Sequence, residues 1–120
     1  MSNYLFVFLG GGLGSICRFG IGHLMAGWRL PFPWATFLAN FISCLILGVL
    51  LALSFKGKLG GQTAVFLMAG FCGGFSTFST FTNETFQMLA DGLWWKAAGY
   101  VLLSLVVCMV SLIVGMKAAG

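Results

Sequence analysis

The stretch Gly70-Phe71-Cys72-Gly73-Gly74-Phe75-Ser76-Thr77-Phe78-Ser79-Thr80-Phe81-Thr82-Asn83-Glu84 decides how this chain is read. It lies inside a long apolar run, where a membrane helix is expected. Yet two adjacent glycines invite a break, and hydroxyls alternate with phenylalanines directly after them. In a bilayer, a broken helix leaves backbone N–H and C=O groups unpaired, and each such group is costly in hydrocarbon. Such backbone persists only where protein buries it or a wet cavity meets it, so the segment reads as a site.

The flanking composition puts that segment in a membrane. Of 120 residues, 60% are hydrophobic and 7% charged, whereas a soluble domain carries about 25% charged residues. The net charge of +4 is scattered, with no basic cluster to hold nucleic acid. Cys17, Cys44, Cys72 and Cys108 fall roughly one to each apolar run, without a CxxC pair or a nearby histidine or carboxylate at ligand spacing. They read as small packed hydrophobes rather than metal ligands or disulfide partners. No Lys or Arg precedes the first apolar run and no A-x-A-like site follows it, so that run is expected to remain as a span.

Four spans are expected, over about residues 4–27, 33–55, 62–89 and 97–116, forming one all-α transmembrane domain. Glycines crowd the first; Gly10 with Gly14, and Gly11 with Ser15, make small-xxx-small pairs that let another helix come close. Arg18 interrupts this span. It suits snorkelling towards the interface near His23 and Arg29, or a structural hydrogen bond, or a positive vestibule. Pro31 and Pro33 separate the first two spans, with Trp28 and Trp34 at the headgroup level. In the second span Thr36, Asn40 and Ser43 form one polar stripe, either bonding a neighbouring helix or lining a solute path.

The third run carries a single charge, Glu84, and as a straight helix would reach about 42 Å against a hydrocarbon core of about 30 Å. A span broken at Gly73-Gly74, near its middle, fits that length. Beyond the break, Phe78 and Phe81 share a helix face while Ser79 and Thr80 turn elsewhere. The fourth run has its own polar stripe of Tyr100, Ser104, Cys108 and Ser111. Together these features outline a path for something small and polar.

Charge placement bears on topology and on cargo. Lys56, Lys58 and Lys117 fall on one side of the bilayer, Arg29 and Lys96 on the other, leaving almost no positive-inside bias. Such a chain is able to insert both ways, and four short helices hardly enclose a pore, so an antiparallel homodimer is expected. A proton-coupled multidrug or cation exporter of this size needs a carboxylate deep in the membrane; here the first span carries Arg18 instead, which argues for an anion. Phenyl rings are positive at their edges and able to approach an anion. No nucleophile–base pair or metal cluster suggests an enzyme. A non-transporting assembly subunit is the third alternative.

The same residues resemble a known family. Gly11-Gly12-Leu13-Gly14-Ser15-Ile16-Cys17-Arg18-Phe19, Pro33-Trp34-Ala35-Thr36 leading to Asn40 and Gly48, and the Gly70–Glu84 stretch are similar to the motifs of the CrcB (Fluc) fluoride channels of bacteria. The resemblance covers nearly the whole chain, and the long third motif is highly specific. It implies an antiparallel, dual-topology homodimer in the bacterial inner membrane, with two pores that pass fluoride passively out of the cytoplasm and so lower its toxicity. It assigns Phe78 and Phe81 as ring-edge residues, Asn40 as the pore amide, Tyr100 and Ser104 as a polar track, and Ser79, Thr80 and Glu84 as a nearby hydroxyl and carboxylate group. It further implies a structural sodium ion at the dimer interface, held by backbone carbonyls at Gly73 and Ser76 and chemically at home among oxygen ligands. Ala35 stands where a glycine is common and Cys108 where serine is, which leaves the far end of the track open.

Overall fold

The structure, a computed structural model, describes residues 2–28 and 32–120. The expectations attached to Arg29 and Pro31 lie outside the described residues. Among the described residues every regular element is helical: α1 (Ser2–Ala26), α2 (Trp34–Phe55), α3 (Gly61–Ala64), a π-helix (Val65–Cys72), α4 (Gly73–Phe75), α5 (Phe78–Ala90) and α6 (Trp94–Ala119). Four helical stretches are long and apolar enough to cross a membrane, namely Asn3–Ala26, Trp34–Phe55, Gly61–Ala90 and Trp94–Ala119. The third of these is assembled from α3, the π-helix, α4 and α5. The molecule measures 48 × 29 × 23 Å, so its long axis exceeds a hydrocarbon core of about 30 Å.

Side chains are distributed inside out relative to a water-soluble bundle. Ser43 is 3% exposed, whereas Leu102 is 63% exposed, and Leu5, Phe8, Val106 and Met109 also face outward. Lipid tails are as apolar as leucine, so burying a leucine between helices gains nothing; small and hydrogen-bonding residues gain more. Hence the buried set includes Ala39, Ala52 and Ala97 together with Thr36, Ser43, Ser104 and Ser111. Tyr100 is the large side chain at the centre, packed among Met88, Phe81 and Phe37.

Glycine sets which helices touch. α1 lies against the first half of the third span (residues 61–75), and α2 lies along α6. A Cβ on Gly10 would strike the carbonyl oxygen of Phe66, and one on Gly14 that of Phe71. From the other side, a Cβ on Gly74 would strike the carbonyl oxygen of Gly11. At the second contact, Gly48 is held against the Leu112 carbonyl and Gly115 against that of Leu45. Two further glycines close helices in the left-handed region, Gly57 at φ 72° after α2 and Gly92 at φ 77° after α5. The C-terminal ends of α2 and α6 meet at one end of the bundle, where Lys56 Nζ donates to the Ala119 carbonyl at 2.7 Å.

The break in the third span is real but displaced from the expected glycines. Gly73 keeps helical dihedrals (φ −64°, ψ −36°), and the chain turns extended only at Ser76 (φ −82°, ψ 157°) and Thr77 (φ −151°, ψ 125°). Gly74 serves close packing on α1. Polar capture causes the break instead: Thr77 Oγ1 accepts from the Thr80 N–H at 3.3 Å as the N-cap of α5. Ahead of the break, Val65–Cys72 is wound as a π-helix, which no local pattern in those residues announces.

Gly48→Ala and Gly115→Ala place a methyl group against rigid backbone, and each is expected to cost about 1–3 kcal/mol. Gly99→Ala, with nothing within 4 Å of its Cβ, is expected to be neutral or stabilising by up to about 1 kcal/mol. Thermal unfolding in detergent micelles compares them, and equal midpoints for all three would contradict the packing described.

Candidate functional site

The polar stripe of α2 is a ladder of attachments to the third span. Ser43 Oγ donates to the Cys72 carbonyl at 3.1 Å, just before the break. At the break, Asn40 Oδ1 accepts from the Thr77 N–H at 3.0 Å while its Nδ2 reaches the Thr77 carbonyl at 3.5 Å. Beyond it, Thr36 Oγ1 donates to Glu84 Oε2 at 2.9 Å. A helical period on α2 thus meets three successive levels of the third span. Of the two readings left open for Asn40, interhelical bonding is present, and the residue also borders a cavity.

That cavity, of about 240 Å³, lies between α2, α5 and α6. Asn40, Phe78, Phe81 and Ser104 border it, as do Thr77 and two cysteines, Cys44 and Cys108. Phe78 is 78% exposed, and its ring centroid is 6.0 Å from that of the half-buried Phe81. Ser104 Oγ is buried without a hydrogen-bond partner among the described residues. A buried hydroxyl lacking a partner usually marks a place for water, an ion or a ligand group. No acidic or basic side chain borders this cavity among the described residues.

A second cavity, of about 420 Å³, opens on the other side of Thr77 and is bordered by Arg18, His23, Thr36, Thr80 and Glu84. Arg18 neither snorkels freely nor stands unattached: its Nε donates to the Gly74 carbonyl at 3.2 Å, which leaves further guanidinium donors for the cavity. Glu84 accepts from Thr36 on one oxygen and from the Tyr100 hydroxyl on the other, at 2.8 Å. Tyr100, fully buried, thus joins the carboxylate through its hydroxyl. Its ring lies 4.9 Å from Phe81, centroid to centroid, so one residue supports both cavities.

The expected site residues fall into these groups unequally. Asn40, Phe78, Phe81 and Ser104 share the smaller cavity; Thr80, Glu84 and Arg18 share the larger. Ser79 is exposed, its hydroxyl 3.4 Å from Thr77 Oγ1. Ser111 bonds the Val107 carbonyl of its own helix and reaches neither cavity. Thr77, which borders both cavities, and Thr36, which holds Glu84, were not among the site residues expected from sequence. The hydroxyl stripe on α2 was the available signal for Thr36.

The break also frees carbonyls. In a continuous helix the Gly73 carbonyl would accept from the Thr77 N–H and the Ser76 carbonyl from the Thr80 N–H. Both donors are diverted, to Asn40 Oδ1 and to Thr77 Oγ1 respectively. Gly73 is exposed. Two carbonyl oxygens without helical donors are suitable ligands for a hard cation.

Fold and site together define a multi-pass membrane protein with largely apolar cavities, each bordered by a few polar groups, between its helices. The family model for the CrcB-like protein, Camphor Resistance (CrcB), matches residues 5–116. The chain belongs to the CrcB family. A relative from Opitutus terrae is 41% identical, covering 99% of this chain and 93% of its own length, and one from Thermus thermophilus is 39% identical, covering 100% and 97%. A relative from Bacteroides fragilis is 33% identical over 96% of this chain and 94% of its own. All three carry the name fluoride-specific ion channel FluC. The chain is thus a channel-family protein of the bacterial inner membrane and not an enzyme.

Asn40→Ala removes both attachments at the break and is expected to lower stability by about 1–3 kcal/mol. It should also speed hydrogen exchange at the Thr77 amide relative to amides within α6. An unchanged Thr77 exchange rate would show that the amide does not hold the break.

Proposed function

We propose that the protein is a fluoride-selective channel that lets fluoride leave the cytoplasm passively, lowering its toxicity. One observation carries this reading. The Asn40 amide, the unpartnered Ser104 hydroxyl and the Phe78–Phe81 ring pair converge on one cavity that, among the described residues, contains no charged side chain. Neutral donors and ring edges replace the hydration of an anion without binding it so tightly that it stays. The small size and strong hydrogen bonding of fluoride suit such a lining. The names borne by the relatives support the choice of anion.

The larger cavity, with Arg18 at its wall, serves as a vestibule in which a positive charge raises the local anion concentration. Thr80 and Ser79 supply hydroxyls near Thr77, between vestibule and ring pair. Glu84 orients Tyr100, which backs Phe81. The alternative of a proton-coupled cation exporter draws no support, since the Glu84 carboxylate already accepts from two hydroxyls.

The working unit in this reading is an antiparallel homodimer of one transmembrane domain, residues 1–120, with two pores. The scant charge bias, the exposed Phe78 and the exposed Gly73 support it. A sodium ion bound when two copies meet would supply electrostatic cohesion, held by the Gly73 and Ser76 carbonyls freed at the break.

Liposomes holding the purified protein are expected to release fluoride rapidly and chloride hardly at all; equal release of both would sink the proposal. Phe81→Ile should suppress fluoride release while the dimer still assembles. For the cation, dimer stability measured by thermal dissociation should be higher in sodium than in an equal concentration of N-methylglucamine. Indifference to the cation would remove sodium from the account.

A further inference from the structure

Two thiols enter the smaller cavity from different helices, Cys44 from α2 and Cys108 from α6. Both are free and half-buried, and both border the same cavity. Their separation is set by rigid backbone. Gly48, one turn after Cys44, and Gly115, two turns after Cys108, bring α2 and α6 into direct main-chain contact. Cys17, exposed on α1, and Cys72, buried in the third span, are not part of the cavity wall.

We propose that Cys44 and Cys108 form a two-sulfur site for a soft, thiophilic d10 cation, and that its occupation closes the cavity. Polarizable thiolates select soft ions, while sodium, magnesium and calcium require oxygen. Two sulfurs held on facing helices suit an ion that takes two ligands from opposite sides. With mercury(II), both S–H bonds break, two mercury–sulfur bonds form and two protons leave to water, with no electron transferred. The adduct carries no net charge, which matters at membrane depth, where an unpaired charge is costly. Once seated, the ion occupies the space beside Phe81 and Ser104. Closure as an effect on transport rests on the fluoride-channel reading; binding of the ion does not.

The test uses Cys17→Ser protein, removing the exposed thiol, and Hg²⁺ as the probe. Thiols are counted after denaturation, and release from liposomes is followed in parallel. One ion is expected to protect two thiols and to reduce fluoride release to the protein-free rate. Cys44→Ser and Cys108→Ser, each compared with its own metal-free rate, are expected to lose that sensitivity. Protection of a single thiol per ion, or undiminished sensitivity in either variant, would overturn the site. Two thiols protected with release unaltered would overturn the closure. Absence of fluoride release before any metal is added would overturn the transport reading instead, and the thiol count would still decide the site.

Discussion

The bond pair between the Asn40 side chain and the Thr77 backbone is the constraint on which the rest of the structure depends. A helix interrupted at membrane depth must find partners for the groups it releases. Here a side-chain amide, with an acceptor and a donor on one planar group, engages the N–H and C=O of a single residue. Ser43 and Thr36 secure the chain before and after that point. The interruption is therefore a braced joint between two helical segments. The carbonyls it releases and the cavities it separates follow from its position.

Bracing of this kind requires helices that lie close together, and glycine provides that closeness. Gly10, Gly14, Gly70 and Gly74 bring α1 onto the first half of the third span; Gly48 and Gly115 bring α2 onto α6. Each pair then behaves as a rigid slab. Most large apolar residues are left for lipid, and the interior holds alanine, serine and threonine together with Tyr100, Phe75, Leu50, Met88 and Cys72. Polar groups are tolerated at the centre because the slabs hold their partners in place. Ser104, alone among the buried side chains described, is left without such a partner.

Much of this was legible in the residues. Four apolar runs marked the spans, since hydrocarbon thickness dictates their length. The stripe of Thr36, Asn40 and Ser43 announced a polar face because helical period does not depend on context. The break was legible in kind but not in place. Paired glycines signal both flexibility and close approach, and only the position of α1 decides between them; Gly74 turned out to be a packing residue. Phe78 and Phe81 were expected on a shared face and stand together. The attachment of Tyr100 to Glu84 and the shared cavity wall of Cys44 and Cys108 join residues on different helices, which spacing along the chain does not encode. The π-helix depends on tertiary fit and had no signature at all.

The backbone of Thr77 is the clamped joint, and its side chain borders both cavities. The partition between the two cavities thus belongs to the same residue that holds the span together. A swinging door cannot be hinged on a structural weld. In the fluoride-channel reading, passage beside this residue is governed by the occupancy and supply of the ion, with the wall itself standing still. A change of the Thr77 side chain also removes the N-cap of α5, whereas Cys44, Ser104 and Cys108 border the smaller cavity without such a role.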